Sequence, residues 1–162
     1  MRRWMTAAIA VIAGGGSATA AERQMVVAAH PLAADAGIEV LRDGGNAVDA
    51  MVAIQAVLGL VEPQSSGLGG GAFLVYYDAA SGELTTFDGR ETAPAAADRD
   101  YFTGMDGEPL PFWDAVVGGR SVGVPGTPKL LDVVHARFGA QDWAGLLEPA
   151  VALAEDGFEV TP

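Results

Sequence analysis

Cysteine is absent from the chain. That removes disulfides, thiolate catalysis and thiolate zinc sites from consideration. Histidine is scarce: His30 and His135 stand far apart and outside any HExxH-like context, which argues against a histidine-built metal centre. Basic residues are also few, with 9 Lys+Arg against 21 Asp+Glu and a net charge of −12. Nucleic-acid binding needs clustered Lys and Arg to neutralise phosphates, so this balance excludes it as a leading role. No apolar run reaches the roughly 20 residues a membrane-spanning helix requires. Internal repeats and low-complexity tracts are missing as well.

Hydrophobic residues make up 50% of the 162 positions, enough for a packed core. The first twenty residues predict a secretory leader. Arg2 and Arg3 form a basic start, Trp4 to Ala13 a short apolar run, and Ala18-Thr19-Ala20 a small-x-small cleavage site. Residues 21–162 are then the exported part, and the location is periplasmic or secreted.

Met25 to Ala29 is an apolar run with the look of a strand. Pro31 opens a helix that carries Leu32, Ala36, Val40 and Leu41 and stops at Gly44-Gly45. Asn46 caps a second helix from Ala47 to Leu60, apolar almost all round and therefore in need of cover on every side. Glu62-Pro63 ends it. After the glycine-rich loop 64–71, Ala72–Tyr77 and Glu83–Asp88 read as a hairpin across the turn 78–82. Residues 89–111 are loop. Thr127 reads as the cap of a helix beginning at Pro128 and running through Phe138, and Trp143–Glu155 as a further amphipathic helix.

The loop Gly67-Leu68-Gly69-Gly70-Gly71 leads into a strand and has no lysine beside it, so it is neither a dinucleotide fingerprint nor a phosphate loop. It serves either as a tight turn where backbone meets backbone or as a place where a substrate nears the main chain. Asp49, inside the apolar helix, must be paired and reads as structural. His30 reads as a hydrogen-bonded turn residue, His135 as exposed, and Trp113 and Trp143 as packing residues. Arg90 stands out at a strand end beside glycine. Its planar guanidinium could grip a carboxylate by two parallel hydrogen bonds, or simply pair with Asp88 or Glu91 at the surface.

An ordered set of motifs resembles the γ-glutamyltransferase (glutathione hydrolase) family. It comprises His30-Pro31-Leu32-Ala33, Gly44-Gly45-Asn46-Ala47-Val48-Asp49-Ala50, Val61-Glu62-Pro63, Ser66-Gly67-Leu68-Gly69-Gly70-Gly71, Gly89-Arg90-Glu91-Thr92-Ala93-Pro94, Val124-Pro125-Gly126, Leu147-Glu148-Pro149-Ala150 and Ala154-Glu155-Asp156-Gly157-Phe158. Together they cover residues 25 to 162, in the order seen at the start of that family's large subunit.

The resemblance implies an α+β fold, part of an αββα sandwich of the N-terminal-nucleophile hydrolase type. It implies cleavage of γ-glutamyl amides such as glutathione and transfer of the γ-glutamyl group to water or an amino acid, without cofactor or metal. It assigns Arg90 to the substrate α-carboxylate and Glu91 to the neighbouring acidic position. The nucleophile it implies is a threonine freed by self-cleavage, in a Thr-Thr or Thr-Ser motif usually followed by His. The one Thr-Thr here, Thr85-Thr86, is followed by Phe87 and falls in a predicted strand. The expectation is therefore a piece of a precursor, without a catalytic residue of its own, whose partner is the missing small subunit. A related acylase acting on β-lactam side chains and a non-catalytic exported binding domain are the alternatives.

Overall fold

The computed structural model describes residues 24–160; the proposed leader lies outside them. Helix α1 spans Pro31–Arg42. Its first free amide is met by the His30 side chain, whose Nδ1 accepts from Leu32 N–H at 3.2 Å. Helix α2 spans Ala47–Val61 and begins with a reciprocal capping box. The Asn46 side chain accepts from Val48 and Asp49 N–H, and the Asp49 carboxylate accepts from Asn46 N–H at 2.9 Å.

Two antiparallel strands follow, β1 (Ala72–Asp78) and β2 (Glu83–Gly89), in register from Ala72 opposite Gly89 to Asp78 opposite Glu83. At their turn the Ala80 amide and then the Ser81 hydroxyl bond the Asp78 carboxylate and hold its pKa below the usual carboxylate range. A short helix α3 (Phe112–Val116) and a 3₁₀ turn (Gly119–Ser121) interrupt the long loop. Helices α4 (Thr127–Phe138) and α5 (Trp143–Asp156) complete the order.

Helix α2 is the hub. It packs on α1 through Ala33, Ala36 and Val57, and on α4 and α5 through Val48, Val52, Leu130, Val134 and Leu146. Along its length only Ala47 is exposed, so the other helices of this chain supply the cover its composition demands. The hairpin lies against α4. Leu74, Tyr76 and Phe87 point into the core, where Tyr76 and Phe87 meet the Phe138 ring at 4.4 and 6.1 Å between centroids. The opposite face is bare. Phe73, Val75, Tyr77 and Leu84 are 61–67% exposed. A helical layer on one sheet face and apolar side chains on the other is half of an αββα sandwich.

Several sequence expectations need correction. Met25 to Ala28 is without regular secondary structure and Ala29 lies in a bend; Val26 and Ala28 are half-buried, Met25 and Val27 exposed, and among the described residues the segment has no ladder partner and forms no strand. Thr127 is the first residue of α4 rather than its cap. Gly126 holds the cap position, and no side chain bonds the first turn. Trp113 projects into solvent at 71% exposure instead of packing, whereas Trp143 does pack against the core.

Candidate functional site

Arg90 and Glu91 leave β2 in a segment held from both sides. The Asp88 carboxylate accepts from Arg90 N–H at 2.9 Å, which fixes the direction in which the chain turns. Thr92 and Val124 exchange backbone bonds of 3.4 and 2.8 Å. The Gly70 carbonyl accepts from both Gly126 and Thr127 N–H, at 3.0 and 3.1 Å. Residues 89–92 therefore pass between the glycine loop and the segment leading into α4.

Glycine is needed where these strands of backbone touch. A β-carbon on Gly126 would overlap the Gly89 carbonyl, and one on Gly71 would overlap the Glu91 carboxylate. One on Gly123 would lie 2.9 Å from the Glu91 β-carbon. The tight-turn reading of loop 67–71 fits this arrangement, since its close approaches are to Glu91 and to the start of α4.

Arg90 is 72% exposed, and its Nε lies 3.9 Å from Glu91 Oε2. Exposed pairs at such a distance contribute about 0–1 kcal/mol. Asp88 does not pair with the guanidinium; its carboxylate is engaged by the Arg90 backbone amide instead. The guanidinium thus keeps its forked N–H groups available. It lines a groove of about 350 Å³ together with Glu91, Pro94, Tyr101, Phe102 and Arg120. It also borders a hollow walled by Phe87, Val124, Pro125, Leu130 and Val133. Glu91 faces a third hollow as well, with Gln55, Ser66 and Thr127.

This arrangement can hold a carboxylate and lay an aliphatic chain against an apolar wall. Of the hydroxyl-bearing residues lining the groove, Thr92, Tyr101 and Ser121, the last donates to the Val116 and Gly118 carbonyls at 2.7 and 3.2 Å. Thr85 and Thr86 lie inside β2, paired with Tyr76 and Val75. Among the described residues no group of three or more His, Asp or Glu side chains is placed to hold a metal ion.

The other singled-out residues gather away from this groove. Asp49 is fully buried and accepts from Ala140 N–H at 3.0 and 3.2 Å and from Gln141 N–H at 3.3 Å, in addition to Asn46. His135 is half-buried, not exposed. Its Nε2 sits 2.9 Å from the Gln141 carbonyl and 3.6 Å from Asp49 Oδ1, and its ring meets Trp143 edge-on at 5.2 Å. This cluster locks the α4–α5 turn onto the start of α2 and is structural, as the position of Asp49 in an apolar helix suggests. Arg120 went unnoticed in the sequence, because one arginine in an irregular loop gives no periodic signal.

Residues 33–162 match the model of the family described as Gamma-glutamyltranspeptidase. The chain belongs to this family. Among curated γ-glutamyltranspeptidase relatives, the glutathione hydrolase proenzyme of Bacillus subtilis (strain 168) is 46% identical over 136 residues, 84% of this chain and 23% of the relative. The chain thus spans about a quarter of that protein's length. The solved γ-glutamyltranspeptidase of Pseudomonas nitroreducens superimposes with a TM-score of 0.79 at 38% identity, over 85% of this chain and 40% of that one. The cephalosporin acylase of Bacillus halodurans does so with a TM-score of 0.72 at 34% identity, over 82% and 24%. The fold is accordingly that of the N-terminal-nucleophile hydrolases, and acylases share it with γ-glutamyltranspeptidases. Among the described residues no helix is long and apolar enough to cross a membrane.

Proposed function

We propose that this chain is the carboxylate-anchoring part of an exported γ-glutamyl amide hydrolase or transferase, made as a precursor of the length of its relatives. Arg90 holds the substrate α-carboxylate through two N–H groups, and Glu91 orients the guanidinium from 3.9 Å. The observation that carries this reading is the exposed, unsaturated Arg90 guanidinium at the mouth of a groove, on a backbone fixed from both sides.

The nucleophile in this reading is a threonine freed by self-cleavage and supplied by the small subunit. Thr85-Thr86 is a poor substitute, because cutting there would sever the β1–β2 ladder. The freed threonine hydroxyl attacks the γ-carbonyl. Its own α-amine takes the hydroxyl proton and passes it to the departing amine. Water or an amino acid then cleaves the γ-glutamyl ester and restores the hydroxyl. The partner layer covers Phe73, Val75, Tyr77 and Leu84 on the bare hairpin face. The substrate is a glutathione-like γ-glutamyl compound, and the first twenty residues act as the leader that sends the precursor to the periplasm or out of the cell.

The likeness to a cephalosporin acylase favours a second reading, in which the scissile amide belongs to a different acyl group. A pair of donors differing only in the α-carboxylate separates the two. Amidation of that carboxylate lowers kcat/KM sharply in the γ-glutamyl reading. Equal turnover of both donors would favour the acylase and end the anchoring role.

A further inference from the structure

Arg90 is not the only guanidinium in its groove. Arg120 lines the same groove, beside Ser121. Six basic side chains lie among the described residues, and two of them meet in this one groove in a chain with 21 acids. Arg120 is held there by the fold. One Nη1 N–H donates to the Tyr101 carbonyl at 2.7 Å, and the guanidinium carbon stacks 5.7 Å from the Tyr101 ring centroid. The turn that carries it is tied down by the Ser121 hydroxyl, and it follows Gly118, whose φ of 104° suits glycine.

Among the described residues Arg120, like Arg42 and Arg137, forms no ion pair, whereas Arg99 and Lys129 sit 3.4 and 2.7 Å from Asp100 and Asp132; of these three, only Arg120 shares the Arg90 groove. An arginine has five N–H donors, and the Tyr101 carbonyl uses one. The remainder are aimed by a side chain already ordered through its stacking contact, so little rotamer freedom is lost when a ligand arrives.

We propose that Arg120 binds a second carboxylate of the substrate, on the part beyond the γ-glutamyl group, so that donors ending in a free peptide carboxylate are preferred over neutral ones. This rests on the anchoring of the first carboxylate by Arg90. Two guanidiniums in one groove then read a dianion: one recognises the acyl half and the other the leaving half.

The test uses the processed full-length protein and two donors, γ-glutamylglycine and γ-glutamylglycinamide, which differ in the second carboxylate alone. Wild type prefers the glycine compound. In Arg120→Gln the ratio of kcat/KM for the two donors falls about tenfold, the loss of one hydrogen bond to a charged group at an exposed site. The fall is carried by KM. Arg120→Lys, which keeps charge and stacking but not the fork, gives an intermediate ratio. Arg90→Ala lowers both donors together and leaves the ratio as it was. An unchanged ratio in Arg120→Gln overturns the second carboxylate site, whether or not overall activity drops. If instead Arg90→Ala costs nothing while Arg120→Gln still shifts the ratio, the first anchor fails and the second stands.

Discussion

The carbonyl of Gly89 occupies the space that a β-carbon on Gly126 would need. This contact presses the end of β2 against the entry to α4, and Arg90 begins one residue later. Gly126→Ala must push the two segments apart. Overpacking of this kind costs about 1–3 kcal/mol. The expected outcome is a lower thermal midpoint together with weaker substrate binding, since the Thr92–Val124 bridge shares the displaced backbone. Unchanged melting and unchanged KM in the full-length protein would show that the segment has slack.

Arg90 variants separate charge from geometry. Lysine retains the positive charge and loses the planar fork; alanine loses both. Each hydrogen bond lost to a charged ligand is worth about 1.5–3 kcal/mol, so kcat/KM for γ-glutamyl donors falls by roughly ten- to a hundredfold per bond. Lysine falls between wild type and alanine. Self-cleavage of the precursor, followed on a denaturing gel, continues in both, because it does not use the substrate carboxylate. If Arg90→Ala turns over a free-carboxylate donor as fast as wild type, Arg90 is a surface ion-pair residue.

Asp49 and Asp132 offer a contrast between two acids of one chain. Asp49 is buried and accepts from three backbone amides on two separate segments. Asp132 is an exposed partner of Lys129. Asp49→Asn turns an acceptor into a donor facing those amides and destabilises the fold by about 3 kcal/mol. Asp132→Asn changes stability by less than about 1 kcal/mol. Denaturant titration of both variants checks the difference, and equal effects would mean the α2–α4–α5 junction does not depend on the carboxylate.

The bare hairpin face governs behaviour in isolation. Expressed alone, residues 21–162 associate through Phe73, Val75, Tyr77 and Leu84, and they show no γ-glutamyl hydrolysis. Val75→Lys with Leu84→Lys shifts the population toward monomer in light scattering. A monomeric parent chain with a sharp melting transition would contradict this account.

Local rules were enough for the helices and the hairpin. Pro31, Gly44, Asn46 and Gly139 mark ends that the backbone respects, and the aromatic and branched residues of Ala72–Tyr77 do form a strand, whose in-and-out burial only the packing reveals. They failed where the partner is distant. Met25 to Ala29 has a strand's composition, but pairing requires a neighbour that composition cannot supply. His135 sits among polar residues along α4 and reads as exposed; its burial comes from Asp49 and Gln141, neither of which lies on α4. Arg90 is ambiguous as a residue, and only the resemblance carried by the motif around it suggests the anchoring role proposed above. Arg120, in a loop without period or motif, became visible once Tyr101 was seen to hold it.

Because α2 is wrapped by α1, α4 and α5 of the same chain, the order of assembly is constrained. The pairing of α1 with α2 joins neighbours in sequence and can form as soon as both have left the ribosome. Closure by α4 and α5 joins elements distant in sequence and follows that pairing. What remains open at that stage includes the bare hairpin face, where Phe73, Val75, Tyr77 and Leu84 are 61–67% exposed. In the proposed precursor the layer covering this face would arrive after the hairpin has formed, and in that interval its apolar side chains would favour association.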